Sequence, residues 1–216
     1  MMTSEPNFYI FGGYKSWNEG AWSSSDDRVR GGKSKSYLVC SADSSVATFR
    51  GTLDIAALKG AGFASQRTVD PQSWDLLGYQ GLRLGVGAAD GKKYTLVLKD
   101  DVPSKRAAND GRDESTVSWE FDFVAPVDGE VSALWQDFRP TYRGVPVPDA
   151  EPLRLDHIKR MGVMMRRFVV LPCGSTRAAW FALTEFCDSF FGEQEGPFRL
   201  DIRYIAAIEP EAKPNE

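Results

Sequence analysis

The ten residues Ser115 to Val124, STVSWEFDFV, set Trp119, Phe121 and Phe123 at alternate positions with Ser118, Glu120 and Asp122 between or beside them. Successive side chains of an extended chain point to opposite faces, so this spacing predicts a strand with an aromatic face in a core and a polar face outside it. The same period recurs on either side. Leu82, Leu84 and Val86 mark it in GLRLGV, Tyr94, Leu96 and Leu98 in KKYTLVLK, and Phe198, Leu200 and Ile202 in GPFRLDIRY, opposite Arg199, Asp201 and Arg203. Further strands are expected in SYLVCSA at Cys40, VATFRGTL at Phe49, GFASQRT after Gly62, VSALWQDF before Arg139 and MMRRFVVL near Phe168, about ten in all. Asp90 and Gly91, which tolerate positive φ, read as a hairpin turn between GLRLGV and KKYTLVLK. Helical periodicity is confined to PLRLDHIKRM and to TRAAWFALTEFCDSFF, where Ala179, Phe181, Ala182, Phe186 and Phe190 follow a loose three-to-four spacing. Many alternating strands and one or two short helices predict an all-β sandwich of two antiparallel sheets.

The composition sets the outer bounds. With 216 residues, 42% hydrophobic, 26% charged, 20 Gly and 12 Pro, the chain is too apolar for disorder and lacks collagen or coiled-coil bias. Residues 1–208 read as one domain, and the polar 209–216, EPEAKPNE, as a disordered tail. A net charge of −4 offers no basic field for nucleic acid. Cys40, Cys173 and Cys187 are an odd number without a CxxC pair, which argues against a disulfide framework or a zinc knuckle. No apolar run reaches the roughly 18 residues of a spanning helix. Residues 1–20 hold one base, Lys15, against Glu5 and Glu19, so no import or secretion signal is visible and a cytoplasmic location is expected on that ground.

Several constellations invite a chemical reading, each with a structural alternative. In WSSSDDRVRGGKSKS, Trp22 to Ser36, the residues Asp27, Arg28 and Arg30 are candidates to meet a ligand; alternatively Asp26 and Asp27 make turns that Gly31 and Gly32 permit. GGKS lacks the spacing of a phosphate loop. Glu120 and Asp122 share one strand face, a geometry for paired acid and base work or simply the solvated side of a sheet. In DFRPTYRGVPVP, Tyr142 and Arg143 form either a guanidinium and aromatic binding surface or a rigid loop. His157, the one histidine, stands beside Asp156 without a nucleophile motif, and no metal site is predicted. Cys40 and Cys187 read as buried thiols. No cofactor is implied, and whether the chain is an enzyme stays open.

Seven segments in order, WSSSDDRVRGGKSKS, FRGTL at Phe49, AGFASQR at Ala61, YQGLRL at Tyr79, DGKKYTLVLKD at Asp90, DFRPTYRG at Asp137 and GPFRLDIRYI at Gly196, resemble the CIA30 domain family, named for complex I intermediate-associated protein 30. The resemblance implies a galactose-binding-like jelly-roll sandwich. It also implies a mitochondrial, chaperone-like binding module without catalysis, whose protein partners are complex I assembly intermediates. An aromatic stretch from Leu171 to Glu195, with Trp180, Phe181, Phe186, Phe190 and Phe191, reads as an added segment before the last strand. It motivates the alternative of a small-molecule binder, or a cofactor-free cyclase or isomerase, using a sandwich cavity. A carbohydrate-binding module is the third reading. For a protein or a small ligand, Asp27, Arg28, Arg30, Glu120, Asp122, Tyr142 and Arg143 are the candidate binding residues.

Overall fold

The computed structural model describes residues 8–59, 62–69, 71–102, 115–167 and 194–210. Thirteen strands occur among them: β1 Phe8–Gly12, β2 Trp22–Ser24, β3 Lys35–Cys40, β4 Ala47–Leu53, β5 Phe63–Thr68, β6 Gly81–Ala89, β7 Lys93–Lys99, β8 Ser118–Val124, β9 Gly129–Leu134, β10 Arg139–Tyr142, β11 Val145–Pro146, β12 Arg160–Arg166 and β13 Gly196–Ile208. One sheet runs β3-β4-β13-β6-β9, with β1 on the second half of β13; the other runs β11-β10-β8-β7-β12-β5-β2. Neighbours pair antiparallel, and the two sheets face each other as a jelly-roll β-sandwich.

The alternation read from the sequence is the register of the core. Leu82, Leu84, Val86, Tyr94, Leu96, Leu98, Leu200 and Ile202 are sealed from solvent. Phe49 and Phe198 of one sheet, 4.9 Å apart between ring centroids, pack on Tyr94 of the other at 6.1 and 6.3 Å, and Phe11, Trp17 and Trp22 form a second aromatic bridge between the sheets. In β13 the buried positions switch from even numbers to odd ones at Ile205 and Ala207. The pairing with β6 slips between Ile202 and Tyr204, and such a bulge moves the following side chains to the other face.

Several local expectations are corrected. Asp90 and Gly91 do not close a hairpin, because β6 and β7 lie in different sheets. The Asp90 carboxylate accepts from the amides of Lys92 and Arg199 and from the Tyr94 hydroxyl, and Gly91 takes φ +71°, so the turn carries the chain across the sandwich. VSALWQDF leaves its strand at Leu134 and enters a 3-10 turn, Trp135–Asp137, whose Asp137 accepts from the Leu134 amide. PLRLDHIKRM forms the 3-10 turn Leu155–His157 in place of a helix and then enters β12, while of the strand expected in MMRRFVVL the part up to Arg166 belongs to β12 and residues 168–171 lie outside the described residues. Strands β1 and β2 were not expected, and DFRPTYRG supplies strand β10 rather than a loop. The helix expected in TRAAWFALTEFCDSFF, the cavity-lining role of the aromatic stretch, Cys173, Cys187 and the tail 211–216 lie outside the described residues.

Candidate functional site

The loop that enters β3 turns its two carboxylates inward. Asp27 is fully buried and accepts from the Ser34 amide (3.1 Å), the Ser34 hydroxyl (2.7 Å) and the Phe63 amide (3.2 Å). Asp26 accepts from the Ser36 amide and hydroxyl and from the Ser65 amide. Ser36 belongs to β3 and Ser65 to β5, so Asp26 ties one sheet to the other. Burial pushes the Asp26 carboxyl above its ordinary value, against the hydrogen bonds that pull it down. Gly32 presses directly on the Asp27 carboxylate, leaving no room for a Cβ, and Gly31 takes the left-handed φ of +82° that ends the 3-10 turn Asp27–Arg30. Arg28 is exposed and off the grooves described below, whereas Arg30 stacks over the Phe63 ring at 5.7 Å.

The outward face of the seven-stranded sheet carries the polar half of the alternation. Cross-strand registers align Arg67 on β5 with Gly162 on β12, Val97 on β7, Glu120 on β8 and Arg139 on β10. Glycine and a short valine in the middle of that row, with longer side chains on both flanks, leave a trough. It widens into a groove of about 760 Å³ with Phe63, Lys99, Ser118 and Met164 in its walls and Arg143 at its rim. A smaller hollow of about 340 Å³ adjoins it between Glu120 and Asp137.

One guanidinium organises the two carboxylates of this face. Arg166 reaches over β7 to Glu120 (2.5 Å) and to both oxygens of Asp122 (2.9 and 3.1 Å). Glu120 also accepts from the Thr141 hydroxyl at 2.7 Å, and Asp122 from the Thr95 hydroxyl at 2.6 Å. The remaining charges are basic. Among the described residues lining the trough and the groove, Arg30, Arg67, Lys99, Arg143, Arg160, Arg166 and Arg167 stand against the single carboxylate of Glu120. Lys99 donates to the Thr116 carbonyl (2.9 Å) and hydroxyl (3.1 Å), while that hydroxyl donates to the Asp101 carbonyl at 2.7 Å. Burial, and then the charges of Arg160 and Arg67, lower the Lys99 ammonium to about 8. A low-dielectric wall lined with one sign of charge concentrates counter-charged ligands.

Of the residues singled out in the sequence, Glu120, Arg30 and Arg143 share the large groove and Asp122 borders it through Arg166. Arg143 has φ +53° and its guanidinium meets Ser115 and the Tyr142 ring, while Tyr142 is 40% exposed at the sheet's edge. Asp27 is enclosed with its serine and amide donors, and His157 lines none of the grooves. Lys99, Arg160, Arg166 and Arg67 were missed. Their signal was present: Arg160 and Arg166 fall on the phase opposite Met161, Val163 and Met165 in RMGVMMR, and Lys99 on the phase opposite Leu96 and Leu98. Among the described residues no group of three or more His, Cys, Asp or Glu side chains is placed to hold a metal ion, and no helix is long and apolar enough to cross a membrane.

The family model for complex I intermediate-associated protein 30 (CIA30) matches residues 11–202. An uncharacterized protein of Schizosaccharomyces pombe is 34% identical over 206 residues, covering 92% of this chain and 83% of that one. Among solved structures, the family 11 carbohydrate-binding module of the cellulosomal cellulase Lic26A-Cel5E of Clostridium thermocellum superposes with a TM-score of 0.55 at 11% identity, over 96% of this chain and 97% of the module. At that identity the likeness is one of fold, a galactose-binding-like sandwich. The chain belongs to the CIA30 family.

Proposed function

We propose that this member of the CIA30 family is a non-catalytic binding module that receives an acidic segment of a protein partner, a complex I assembly intermediate, in the groove of its seven-stranded sheet. The carrying observation is the charge of that groove. A chain of net charge −4 gathers seven cations around a trough in which Glu120 is the one described carboxylate. Electrostatic complementarity of this kind selects partners and speeds their capture. The family's name supports a mitochondrial setting for this role.

Affinity capture of the full-length chain from its source cells tests the reading when paired with the charge reversal Arg143→Glu. Complex I intermediates should co-purify with the wild-type chain and fall about tenfold with the variant, at unchanged circular dichroism. Equal recovery by both, or recovery by neither, overturns it. A second reading, a small anionic ligand, is favoured by the groove's size, since about 760 Å³ falls within the roughly 300 to 1,000 Å³ of ligand sites. The carbohydrate binding of the structural neighbour does not transfer, because 11% identity carries fold alone.

A further inference from the structure

The geometry points to Lys99 as a nucleophilic amine that forms an imine with a small carbonyl compound bearing a carboxylate, such as a 2-oxo acid, bound in the groove. The inference rests on the second reading of the groove, as a site for a small anionic molecule.

Lys99 ends the central strand β7 with its side chain half-buried in the groove wall. A buried ammonium ordinarily has a carboxylate against it. Here the hydrogen-bonded partners are two neutral oxygens of Thr116, the carbonyl and the hydroxyl. That hydroxyl spends its own proton on the Asp101 carbonyl, so it faces Lys99 as an acceptor. Two acceptors match the two hydrogens of a neutral amine and leave its lone pair to the groove. The one described carboxylate of the trough is engaged elsewhere, since Glu120 binds Thr141 through one oxygen and Arg166 through the other.

The flanking charges act in the same direction. Arg160 is the cross-strand partner of Lys99 and Arg67 lies one strand beyond; both disfavour a third positive charge, and the counter-effects of Glu120 and Asp101 are smaller. The amine therefore sits near an ammonium value of about 8, the combination of desolvation and neighbouring cations that activates imine-forming lysines. Those guanidinium groups also suit a carboxylate placed beside the carbonyl. In the reaction the Nζ lone pair bonds to the carbonyl carbon and an amine proton passes to the carbonyl oxygen. The carbinolamine then expels that oxygen as water, leaving C=N in place of C=O with no change of oxidation state.

Glyoxylate with cyanoborohydride provides the test on the full chain, because reduction of the C=N bond leaves a stable carboxymethyl-lysine that peptide mass spectrometry assigns to one position. At about pH 7.5 Lys99 should be labelled on the order of tenfold faster than the exposed Lys33 and Lys35, since its larger neutral fraction outweighs its lower basicity. Its rate should be half-maximal near pH 8, and acetaldehyde, without the carboxylate, should show a smaller preference because only the neutral-fraction advantage remains. Lys99→Arg should abolish the fast site at unchanged thermal stability; if that variant fails to fold, the site-resolved rates in the wild-type chain still decide. Labelling of Lys99 no faster than the exposed lysines, or a half-maximal rate near that of an ordinary lysine, overturns the proposal. Failure of protein capture with fast Lys99 labelling would sink only the protein-partner reading, and the reverse result would sink only this one.

Discussion

Two carboxylate pairs stand at chemically suggestive places in this chain, and the fold treats them in opposite ways. Asp26 and Asp27 are enclosed where β3 and β5 meet, each satisfied by three amide or hydroxyl donors. Glu120 and Asp122 lie on an outward sheet face and share the guanidinium of Arg166, which arrives from β12. Hydroxyl and amide donors near in space let an acid serve as a rivet between sheets, whereas a guanidinium partner on a groove leaves a polarised surface for a ligand. The lesson is that the partner, and not the acid, decides the employment.

The comparison can be broken most forcefully at Asp27. Asp27→Ala strands three donors in a sealed site and should cost on the order of 4 kcal/mol by urea denaturation. A loss below about 1 kcal/mol would mean that the enclosed pair is not a rivet. Next is Glu120→Ala, which removes one partner of a mostly buried ion pair while Asp122 still holds Arg166. Its expected cost is about 3 kcal/mol in stability, with altered capture in the groove besides.

Asp26→Asn comes third, with a loss of about 2 kcal/mol that depends on pH. A carboxyl raised above its ordinary value stabilises the fold in its protonated form. Its contribution is complete below 3.8 and is lost as pH rises through the folded value, so the gap between wild type and the permanently neutral variant should narrow with rising pH. A gap that widens instead would assign the stabilisation to the charged form. The smallest effect is a gain: Arg143 and Gly144, at φ +53° and +78°, form the two-residue turn between β10 and β11, a geometry that Asn-Gly adopts more readily than Arg-Gly. Arg143→Asn should stabilise by about 0.5 kcal/mol while weakening capture, the mark of an arginine held for binding at a conformational cost.

Much of the sandwich was legible because a strand's side-chain period is two, and runs such as Tyr94, Leu96 and Leu98 display it without interruption. Strands β1 and β2 escaped because Phe8–Gly12 is apolar without alternation and Trp22–Ser24 is too short to show a period. The Asp90 turn misled because its local chemistry is that of a hairpin, while its destination is set by a hydrogen bond to Arg199 on β13, more than a hundred residues away. The candidate site was half legible. Glu120, Asp122 and Arg143 announce themselves by type and spacing, but Lys99 and Arg160 gain interest only through the register that sets them side by side.

By itself the sequence determined the fold class, the faces of most strands and membership of a family, because each depends on local period or on ordered motifs. Only the tertiary structure decided which charges work inward and which outward. Whether a carboxylate is a rivet or a groove wall, and whether a lysine is an exposed cation or a shielded amine, depends on solvent and on neighbours brought from distant strands. Desolvation and Coulomb energy are properties of that assembled surrounding, and no residue carries them alone.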